Sequence, residues 1–222
     1  LNEQQLAAVS SRPGHALVIA GAGSGKTRTL TYRVAFLLDQ KVAAKNILLL
    51  TFTNKASREM LERVKELIPQ DTSDLWGGTF HSICNRILRR HADELGFTRS
   101  FSILDTDDQK SLMKQLIDDA KVETKERRFP KPDVLLSIFS LCENTHSSVE
   151  DVIDCNYSYF QEWVDDIKRL QRAYTKKKLE TNCMDFDDLL VLTLKLMKQD
   201  EDLRELYQRK FRYVLVDEYQ DT

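Results

Sequence analysis

Several features are scarce or missing in this sequence of 222 residues, and each absence removes a class of protein. No run of 18 apolar residues occurs, which excludes a membrane-spanning helix, and we expect no membrane partner. The net charge is only −2, so a polyanionic partner would have to be bound by local features rather than by the overall charge. The four cysteines, which are Cys84, Cys142, Cys155 and Cys183, form no CxxC pair. This spacing is typical of reduced thiols in a cytoplasmic protein rather than of disulfides or a metal site.

Glycine is also scarce, with seven residues, yet Gly21, Gly23 and Gly25 lie close together in the stretch AGAGSGKT. The stretch separates an apolar run, His15 to Ala20, from a helical pattern that extends to about Gln40. A glycine-rich loop between a strand and a helix is the context that phosphate binding requires. Backbone N–H groups can curl around phosphates there, and the helix start adds partial positive charge.

The last two residues of this stretch carry the chemistry. We predict that Lys26 reaches the β- and γ-phosphates and that the Thr27 hydroxyl is a ligand of Mg²⁺. The strict phosphate-loop pattern begins with glycine, whereas this chain has Ala20 at that position. A helix-entry turn that happens to contain Gly-Lys-Thr is therefore the alternative.

Strand and helix signals alternate along both ends of the chain. Helical patterns follow the apolar runs and cover Lys55 to Ile68 and the stretch from about Phe80 to about Leu95. This alternation predicts an α/β fold with a parallel sheet. The predicted strands are His15 to Ala20, Asn46 to Phe52, Leu75 to Phe80 and Tyr213 to Val216, the last buried on both faces.

The middle of the chain has a different character. From about residue 105 to 180 helical signals dominate, with a helix start at Asp105 and a long amphipathic helix from Phe160 to Tyr174. A further helix is predicted from Asp185 to Lys198. We interpret this region as an inserted all-helical subdomain, with boundaries 1–96, 97–182 and 183–222.

Two acids follow the last predicted strand. Asp217 and Glu218 stand where a buried strand of an α/β sheet would emerge, and ligands bind at that edge. In phosphate-loop NTPases such an aspartate holds Mg²⁺ through water, and a neighbouring carboxylate can orient or deprotonate the attacking water. A solvated acidic strand end is the alternative.

Several motifs occur together and in order, and they make the chain resemble one family. The stretches are LNEQQ, AGAGSGKTRTL, TFTNKASREM, GTFHS, MDFDDLL and VLVDEYQDT. They resemble the N-terminal part of superfamily 1 DNA helicases of the UvrD, Rep and PcrA type. The resemblance implies a RecA-like phosphate-loop NTPase fold that uses ATP and Mg²⁺. It also implies 3′ to 5′ movement on single-stranded DNA and action at junctions of single- and double-stranded DNA.

The resemblance assigns an ATP site residue by residue. Gln5 would bind the adenine edge, and Arg28 would pack beside the base. The remaining loop positions would surround the phosphates, with Lys26, Asp217 and Glu218 as the catalytic residues. The loop positions are Ala20, Gly21, Ala22, Gly23, Ser24, Gly25, Lys26 and Thr27.

The resemblance also implies a DNA-binding surface on which an aromatic ring can stack on any base. From the residues alone, Phe52 fits a core position equally well, and His81 fits a hydrogen-bonded buried histidine. The implied DNA-binding residues are Phe52, Thr53, Asn54, Lys55, Thr79, Phe80, His81 and Phe186.

Two basic segments have two possible interpretations, namely contact with duplex DNA or a charged, solvated surface. The first has Lys121, Lys125, Arg127, Arg128 and Lys131, and the second has Lys176, Lys177 and Lys178.

The resemblance stops at DEYQDT, before the second RecA-like domain of the family. That domain carries arginines that reach the γ-phosphate, so we expect the chain by itself to be an inactive fragment. Two other interpretations stay open, namely the helicase part of a RecB- or AddA-like helicase–nuclease, and a module that only binds nucleotide and DNA.

Overall fold

The computed structural model describes residues 1–69, 71–121 and 129–221. They form two compact units, Leu1–Cys84 with Met197–Thr222 and, separately, Asn85–Leu196. The domain boundaries expected from the sequence, at 96/97 and 182/183, stay a prediction. Among the described residues no helix is long and apolar enough to cross a membrane.

Ten α-helices and five strands are present in the described part of the chain. The helices are α1 Glu3–Val9, α2 Lys26–Asp39, α3 Asn54–Leu67, α4 Phe80–His91, α5 Thr106–Asp119, α6 Pro132–Thr145, α7 Val149–Asn156, α8 Val164–Glu180, α9 Phe186–Gln199 and α10 Glu201–Lys210. The strands are β1 Ile47–Thr51, β2 Trp76–Thr79, β3 Ser102–Ile103, β4 Cys183–Met184 and β5 Tyr213–Val216. Short 3-10 segments cover Ala44–Asn46, Ala92–Leu95, Ser158–Trp163 and Tyr219–Asp221.

The first unit is built on a parallel sheet with the strand order β2-β1-β5. All five residues of the central strand β1 are buried, as an apolar ILLLT run between two neighbours should be. This arrangement confirms the α/β class and three of the four predicted strands.

Helices α2 and α3 cover β1 with apolar side chains, among them Val34, Leu38 and Met60. Each fully buried side chain of this size contributes about 1.5–3 kcal/mol. Strand β2 also lies close to α3, and its glycines permit the approach. A Cβ on Gly77 would lie 2.8 Å from a methyl carbon of Leu61.

The predicted strand from His15 to Ala20 is wrong. The segment has no strand structure, and Leu17, Val18 and Ile19 are 70%, 53% and 88% exposed. Among the described strands β5 pairs with β1 alone, and β2 with β1 alone, so no strand pairs with this segment. An apolar run becomes a strand only where a neighbouring strand accepts its backbone hydrogen bonds.

The expectation that Tyr213–Val216 is buried on both faces is also wrong. The strand forms, but Val214 is 53% exposed and none of its four residues is fully buried. As the edge strand of the described sheet, β5 has one neighbour instead of two. Its apolar sequence therefore predicted the strand but not its burial.

The second unit is mostly helical, as predicted, and has its own apolar core. Met113, Leu135, Ile138, Ile153 and Ile167 are among its most buried members. Helix α5 begins where the sequence indicated, because the Asp105 carboxylate accepts hydrogen bonds from two N–H groups of the first turn.

Two details of this unit differ from the sequence interpretation. Strands β3 and β4 form a short parallel pair within the helical region, in the register Ser102↔Cys183. Helix α8 begins only at Val164, after a 3-10 segment that contains Phe160 and Trp163. Periodicity did not distinguish the two helix types because both place apolar residues three positions apart on one side.

None of the four described cysteines forms a disulfide. The described residues also contain no cluster of three or more histidine, cysteine, aspartate or glutamate side chains that could hold a metal ion.

Candidate nucleotide and DNA site

Three motif segments emerge at the same edge of the first unit's sheet. In the strand register Thr51 lies beside Thr79, and Leu50 lies beside Val216. Because all three strands are parallel, the segments that follow them leave from one edge, where ligands bind in open α/β sheets. TFTNKA, GTFHS and DEYQDT are therefore neighbours in space although they are far apart in the sequence.

The phosphate-loop candidate has the backbone of a tight, glycine-dependent turn. Gly23 and Gly25 have φ angles of 74° and 85°, a region that favours glycine. Within the loop, Ser24 donates its hydroxyl to the Gly21 carbonyl oxygen at 2.7 Å. Helix α2 then starts at Lys26, so its unpaired N–H groups and partial positive charge face the loop.

The Lys26 ammonium is positioned close to this loop. Its Nζ donates a hydrogen bond of 3.3 Å to the carbonyl oxygen of Ala20, the residue at the start of the loop. The side chain is partly exposed, and α2 fixes its backbone. A phosphate at the start of α2 would thus have a cation and helix N–H groups on the same side.

Thr27 and Asp217 are 190 positions apart in the sequence but meet in the structure. The Thr27 hydroxyl donates to Oδ2 of Asp217 at 3.4 Å. Asp217 is buried, and its N–H donates to the Leu50 carbonyl oxygen at 2.9 Å, which extends the strand ladder by one residue. Burial and the negative charge of Glu218 raise the pKa of Asp217.

These donors fit a Mg²⁺ ion. Mg²⁺ is bound in NTPases by one or two carboxylate or hydroxyl oxygens together with phosphate oxygens and water. Thr27 and Asp217 supply two such oxygens at one place, beside the loop. A divalent cation would also neutralise the carboxylate whose ionised form burial and Glu218 destabilise.

Glu218 has an unusual backbone conformation. Its φ angle is 50°, in the left-handed region that a residue with a long side chain seldom adopts. A hydrogen bond of 2.9 Å from the Asp221 N–H to its carbonyl oxygen closes the turn, and Gln220 donates its side-chain amide to the Glu218 carboxylate. Strained residues of this kind are concentrated at functional sites. The sequence interpretation did not include Gln220.

The two adenine candidates both lie by the loop. Gln5 donates its amide to the Ser24 carbonyl oxygen at 2.9 Å and also caps α1, since it accepts from the Asn2 N–H. Arg28 is exposed, with its guanidinium 5.6 Å from the centre of the Tyr32 ring. Tyr32 was missed in the sequence, although its i, i+4 spacing from Arg28 predicts such a contact on a helix.

The TFTNKA candidates are on the surface. Phe52 is 63% exposed, so its interpretation as a core residue is wrong. Thr53 is the N-cap of α3 and accepts a 3.1 Å hydrogen bond from the Ala56 N–H, which leaves its own hydroxyl proton able to donate. Asn54 and Lys55, in the first turn of α3, are exposed.

The candidates in GTFHS are less exposed to solvent than those in TFTNKA. Thr79, Phe80 and His81 are each partly exposed. Thr79 accepts a 3.2 Å bond from the Ser82 N–H and thereby fixes the start of α4. The partial exposure of His81 does not match a fully buried histidine.

Phe186 belongs to the second unit and is the first residue of α9. It is 52% exposed. Asp185 and Asp188 cap this helix reciprocally, each accepting a 2.9 Å hydrogen bond from the N–H of the other. The interpretation of the flanking acids as cap and first-turn residues is confirmed.

The basic segments have mixed outcomes. Lys125, Arg127 and Arg128 lie outside the described residues, whereas Lys121 and Lys131 are exposed. In the second segment, Lys176 is exposed and pairs with Glu180 at 3.6 Å. Lys177 is partly exposed. Lys178 is buried and ion-paired, so an assignment of Lys178 to a solvated surface or to duplex contact is wrong.

Comparison with known proteins covers the whole length of the chain, and with it every motif segment. The family model of the UvrD/REP helicase N-terminal domain matches residues 1–222. The chain is 44% identical over 223 residues to the ATP-dependent DNA helicase PcrA of Bacillus subtilis, covering all of this chain and 29% of that protein. It is 41% identical to PcrA of Staphylococcus epidermidis and 40% identical to PcrA of Staphylococcus aureus, with 30% of each covered.

The chain thus spans about 30% of the length of these relatives. The match extends from its first residue to its last and includes the phosphate loop, TFTNKA and DEYQDT. The chain belongs to the UvrD/REP helicase family and corresponds to its N-terminal domain.

Proposed function

We propose that this chain is the ATP-binding part of a DNA helicase or translocase that moves 3′ to 5′ on single-stranded DNA. The observation that carries the proposal is the contact between Thr27 and Asp217. It brings the helix start of the phosphate loop to the acidic end of β5, and both lie at the sheet edge from which TFTNKA also emerges. A nucleotide bound there would be next to a candidate DNA surface.

Four side chains divide the work of ATP hydrolysis. Lys26 binds the β- and γ-phosphates, and its charge offsets the negative charge that develops during phosphoryl transfer. Thr27 and Asp217 would hold Mg²⁺, Asp217 through water. When bound, Mg²⁺ supplies positive charge to the phosphate oxygens. Glu218 orients the attacking water and accepts its proton.

Two further residues select the nucleotide. Gln5 pairs with the adenine edge through its amide, which can donate and accept at once. Its present bond to Ser24 ties α1 to the loop, so the adenine site and the phosphate site are linked through one side chain. Arg28 packs beside the base, with Tyr32 close to its guanidinium.

Single-stranded DNA binds through TFTNKA, GTFHS and Phe186. Phe52 and Phe186 supply exposed aromatic faces, and stacking on a ring is tolerant of sequence, which suits a motor that must pass every base. Thr53, Asn54, Lys55, Thr79, Phe80 and His81 complete this set. Junctions of single- and double-stranded DNA are the substrate for unwinding.

Movement requires a second RecA-like domain of the same polypeptide. Such a domain supplies arginines to the γ-phosphate. Opening and closing of the two domains around ATP shifts their contacts with the bases along the DNA strand. The whole protein is accordingly a motor, of which this chain provides one ATP-binding face.

Steady-state ATP hydrolysis by the complete protein, with and without single-stranded DNA, tests the proposal. We expect DNA to stimulate hydrolysis and the Lys26→Ala variant to lose ATP binding while its thermal melt stays unchanged. Lys45→Ala is the matched control, because Lys45 is exposed and is away from the loop in a 3-10 segment. Unchanged ATP affinity and turnover in Lys26→Ala would refute the phosphate-loop assignment.

A further inference from the structure

Lys178 is buried although it is the last of three consecutive lysines on α8. Only 6% of the residue is exposed. Its Nζ lies 2.6 Å from Oδ2 of Asp185 and 2.6 Å from Oδ2 of Asp188. The same ammonium is 4.6 Å from the centre of the Tyr174 ring, and Tyr174 donates its hydroxyl to Asp185 at 3.1 Å. One cation is thus enclosed by two carboxylates and an aromatic face.

The same two carboxylates form the cap of α9. Asp185 accepts from the Asp188 N–H, and Asp188 accepts from the Asp185 N–H, each at 2.9 Å. Lys178 therefore crosslinks α8 to both members of the capping pair. The backbone between Asp185 and Asp188 is held at each end by one side chain from another helix.

Phe186 lies inside this clamped segment. Met184, just before the segment, and Leu189, just after it, are 0% and 1% exposed, whereas Phe186 is 52% exposed. The first turn of α9 is therefore anchored on both sides of a ring that faces outward. A ring fixed in this way loses less conformational freedom when a base stacks on it.

Stability alone is a poor reason for such a cluster. A buried ion pair often contributes no more to stability than apolar side chains of the same volume would, because desolvation offsets the attraction. Burial favours the neutral amine, but the two carboxylates outweigh it and raise the pKa of Lys178, so the clamp stays charged. What the cluster does supply is one defined geometry for the start of α9.

We propose that Lys178 is a positioning residue for single-stranded DNA, which clamps Asp185 and Asp188 and so fixes the direction in which the Phe186 ring is presented. The inference rests on the proposed function, in which Phe186 contacts DNA. Lys178 itself touches no base or phosphate, since its ammonium is enclosed. Its influence on DNA passes through the first turn of α9.

A double-mutant cycle in the complete protein tests this. The measured quantity is the dissociation constant for a fluorescent oligothymidylate, in the wild type, Phe186→Ala, Lys178→Met and the double variant. We expect Phe186→Ala to weaken binding by about 5- to 150-fold, the value of one stacked base. Lys178→Met should weaken it about twofold or more, and should have no further effect once Phe186 is removed.

Two controls separate positioning from general damage. Lys168→Met makes the same change on the same helix and breaks the Lys168–Glu150 ion pair, without touching α9, so it should leave DNA affinity unchanged. ATP affinity, which depends on residues of the other unit, should be unchanged in every variant. If Lys178→Met does not fold, Asp188→Asn replaces it in the cycle, because Lys178 keeps its partner Asp185.

The outcomes distinguish failure of the positioning role of Lys178 from failure of the proposed DNA binding. A folded Lys178→Met, or Asp188→Asn in its place, that binds DNA as the wild type does would overturn the positioning role while Phe186→Ala still showed its loss. Equal losses with and without Phe186 would also overturn it, because they would mean a defect elsewhere. If the complete protein bound no single-stranded DNA, the proposed function would fail first.

Discussion

Asp217 and Glu218 are adjacent in the sequence but differ in their surroundings. Asp217 is buried and bonded to Thr27, and burial followed by the charge of Glu218 raises its pKa. Glu218 is partly exposed and has a left-handed backbone that turns it away from the strand direction. We therefore propose different tasks for the two carboxylates, metal binding for Asp217 and water activation for Glu218.

Glu218→Gln separates these tasks. The amide cannot accept a proton from water, while Thr27 and Asp217 remain, so ATP should bind normally and turnover should fall by about 10²–10⁴-fold. Binding is measured by calorimetry and turnover by steady-state phosphate release in the complete protein with DNA. Glu66→Gln is the control, because Glu66 is an exposed residue on α3. Lost binding with normal turnover of the remaining complex would mean that the roles are reversed.

Phe52 is a surface residue whose removal should affect DNA and not the fold. At 63% exposure its ring contributes little to the core, so Phe52→Ala should leave the thermal melt almost unchanged. If one base stacks on the ring, affinity for single-stranded DNA falls by about 1–3 kcal/mol with little sequence bias. Fluorescence anisotropy with oligonucleotides of different sequence measures the affinity and its dependence on sequence, and a thermal melt measures stability.

Tyr159→Ala provides the comparison for Phe52→Ala. Tyr159 is 69% exposed and lies outside the segments assigned to DNA. Its removal should not change DNA affinity. An equal loss in both variants, or a large loss of stability in Phe52→Ala alone, would contradict the stacking assignment.

At the scale of one element, the start of α9 has an unequal charge balance. Asp185 and Asp188 share the single ammonium of Lys178, with the Tyr174 hydroxyl and Asp187 also nearby. Burial raises the pKa of Asp188 to about 6, because the attraction of Lys178 is offset by the repulsion of Asp185. For Asp185 the ammonium and the hydrogen bonds outweigh burial and lower the pKa.

This balance predicts a pH dependence of stability. In the folded chain Asp188 binds its proton more tightly than in the unfolded chain, where an aspartate has a pKa of about 3.9. Stability should therefore fall as the pH rises from about 4 to about 6, by on the order of 1–3 kcal/mol for this group. The lowered pKa of Asp185 has the opposite effect on stability, but that effect changes mainly below the ordinary aspartate pKa of about 3.9, at the lower limit of this window.

Asp188→Asn should remove that slope, since asparagine does not titrate. Urea unfolding of the wild type and the variant at several pH values between about 4 and 6 measures the difference. Asp166→Asn, which alters a partly exposed ion pair with Arg169 in the same unit, should keep the wild-type slope. A wild-type slope in Asp188→Asn would show that Asp188 is already ionised throughout the window.

At the scale of the whole molecule, residues 1–222 match the N-terminal domain of the family, whereas the proposed mechanism assigns the arginines at the γ-phosphate to a second motor domain. Loss of such an arginine costs about 10³–10⁵ in rate. We therefore expect residues 1–222 by themselves to show negligible DNA-stimulated ATP hydrolysis and no unwinding. A steady-state ATPase assay of this purified chain, beside the complete protein, measures this. Robust DNA-dependent turnover by the chain alone would contradict the two-domain mechanism.

The exposed apolar segment from His15 to Ala20 affects how whole copies of the chain associate. Leu17 and Ile19 face solvent, and β5 has one strand neighbour among the described residues. Exposed apolar residues and an unpaired strand edge favour association between copies. The chain by itself should therefore form concentration-dependent oligomers, which light scattering detects.

The sequence by itself determined the features that depend on residues near one another in the chain. Helical spacing and cap residues located α2, α3, α5 and α9, and continuous apolar runs located β1 and β5. Strand β2 was predicted from the less uniform stretch Leu75 to Phe80. The glycines before Lys26 predicted the phosphate-loop turn, because a left-handed backbone is a local requirement. The order of the motifs identified the family, which the match over residues 1–222 confirms.

Tertiary structure alone decided which of these local features are buried and which residues meet. Phe52 and Leu50 both belong to one apolar run in the sequence. Only Leu50 lies in β1 between two neighbouring strands and is buried, whereas Phe52 is exposed. The segment from His15 to Ala20 is as apolar as β1 and yet forms no strand, because a strand needs hydrogen-bonding partners from elsewhere in the chain. In the sequence Lys178 looks like Lys176 and Lys177, which are exposed and partly exposed, until α9 brings two carboxylates to it. Burial and charge pairing depend on contacts between distant residues, which local spacing does not encode.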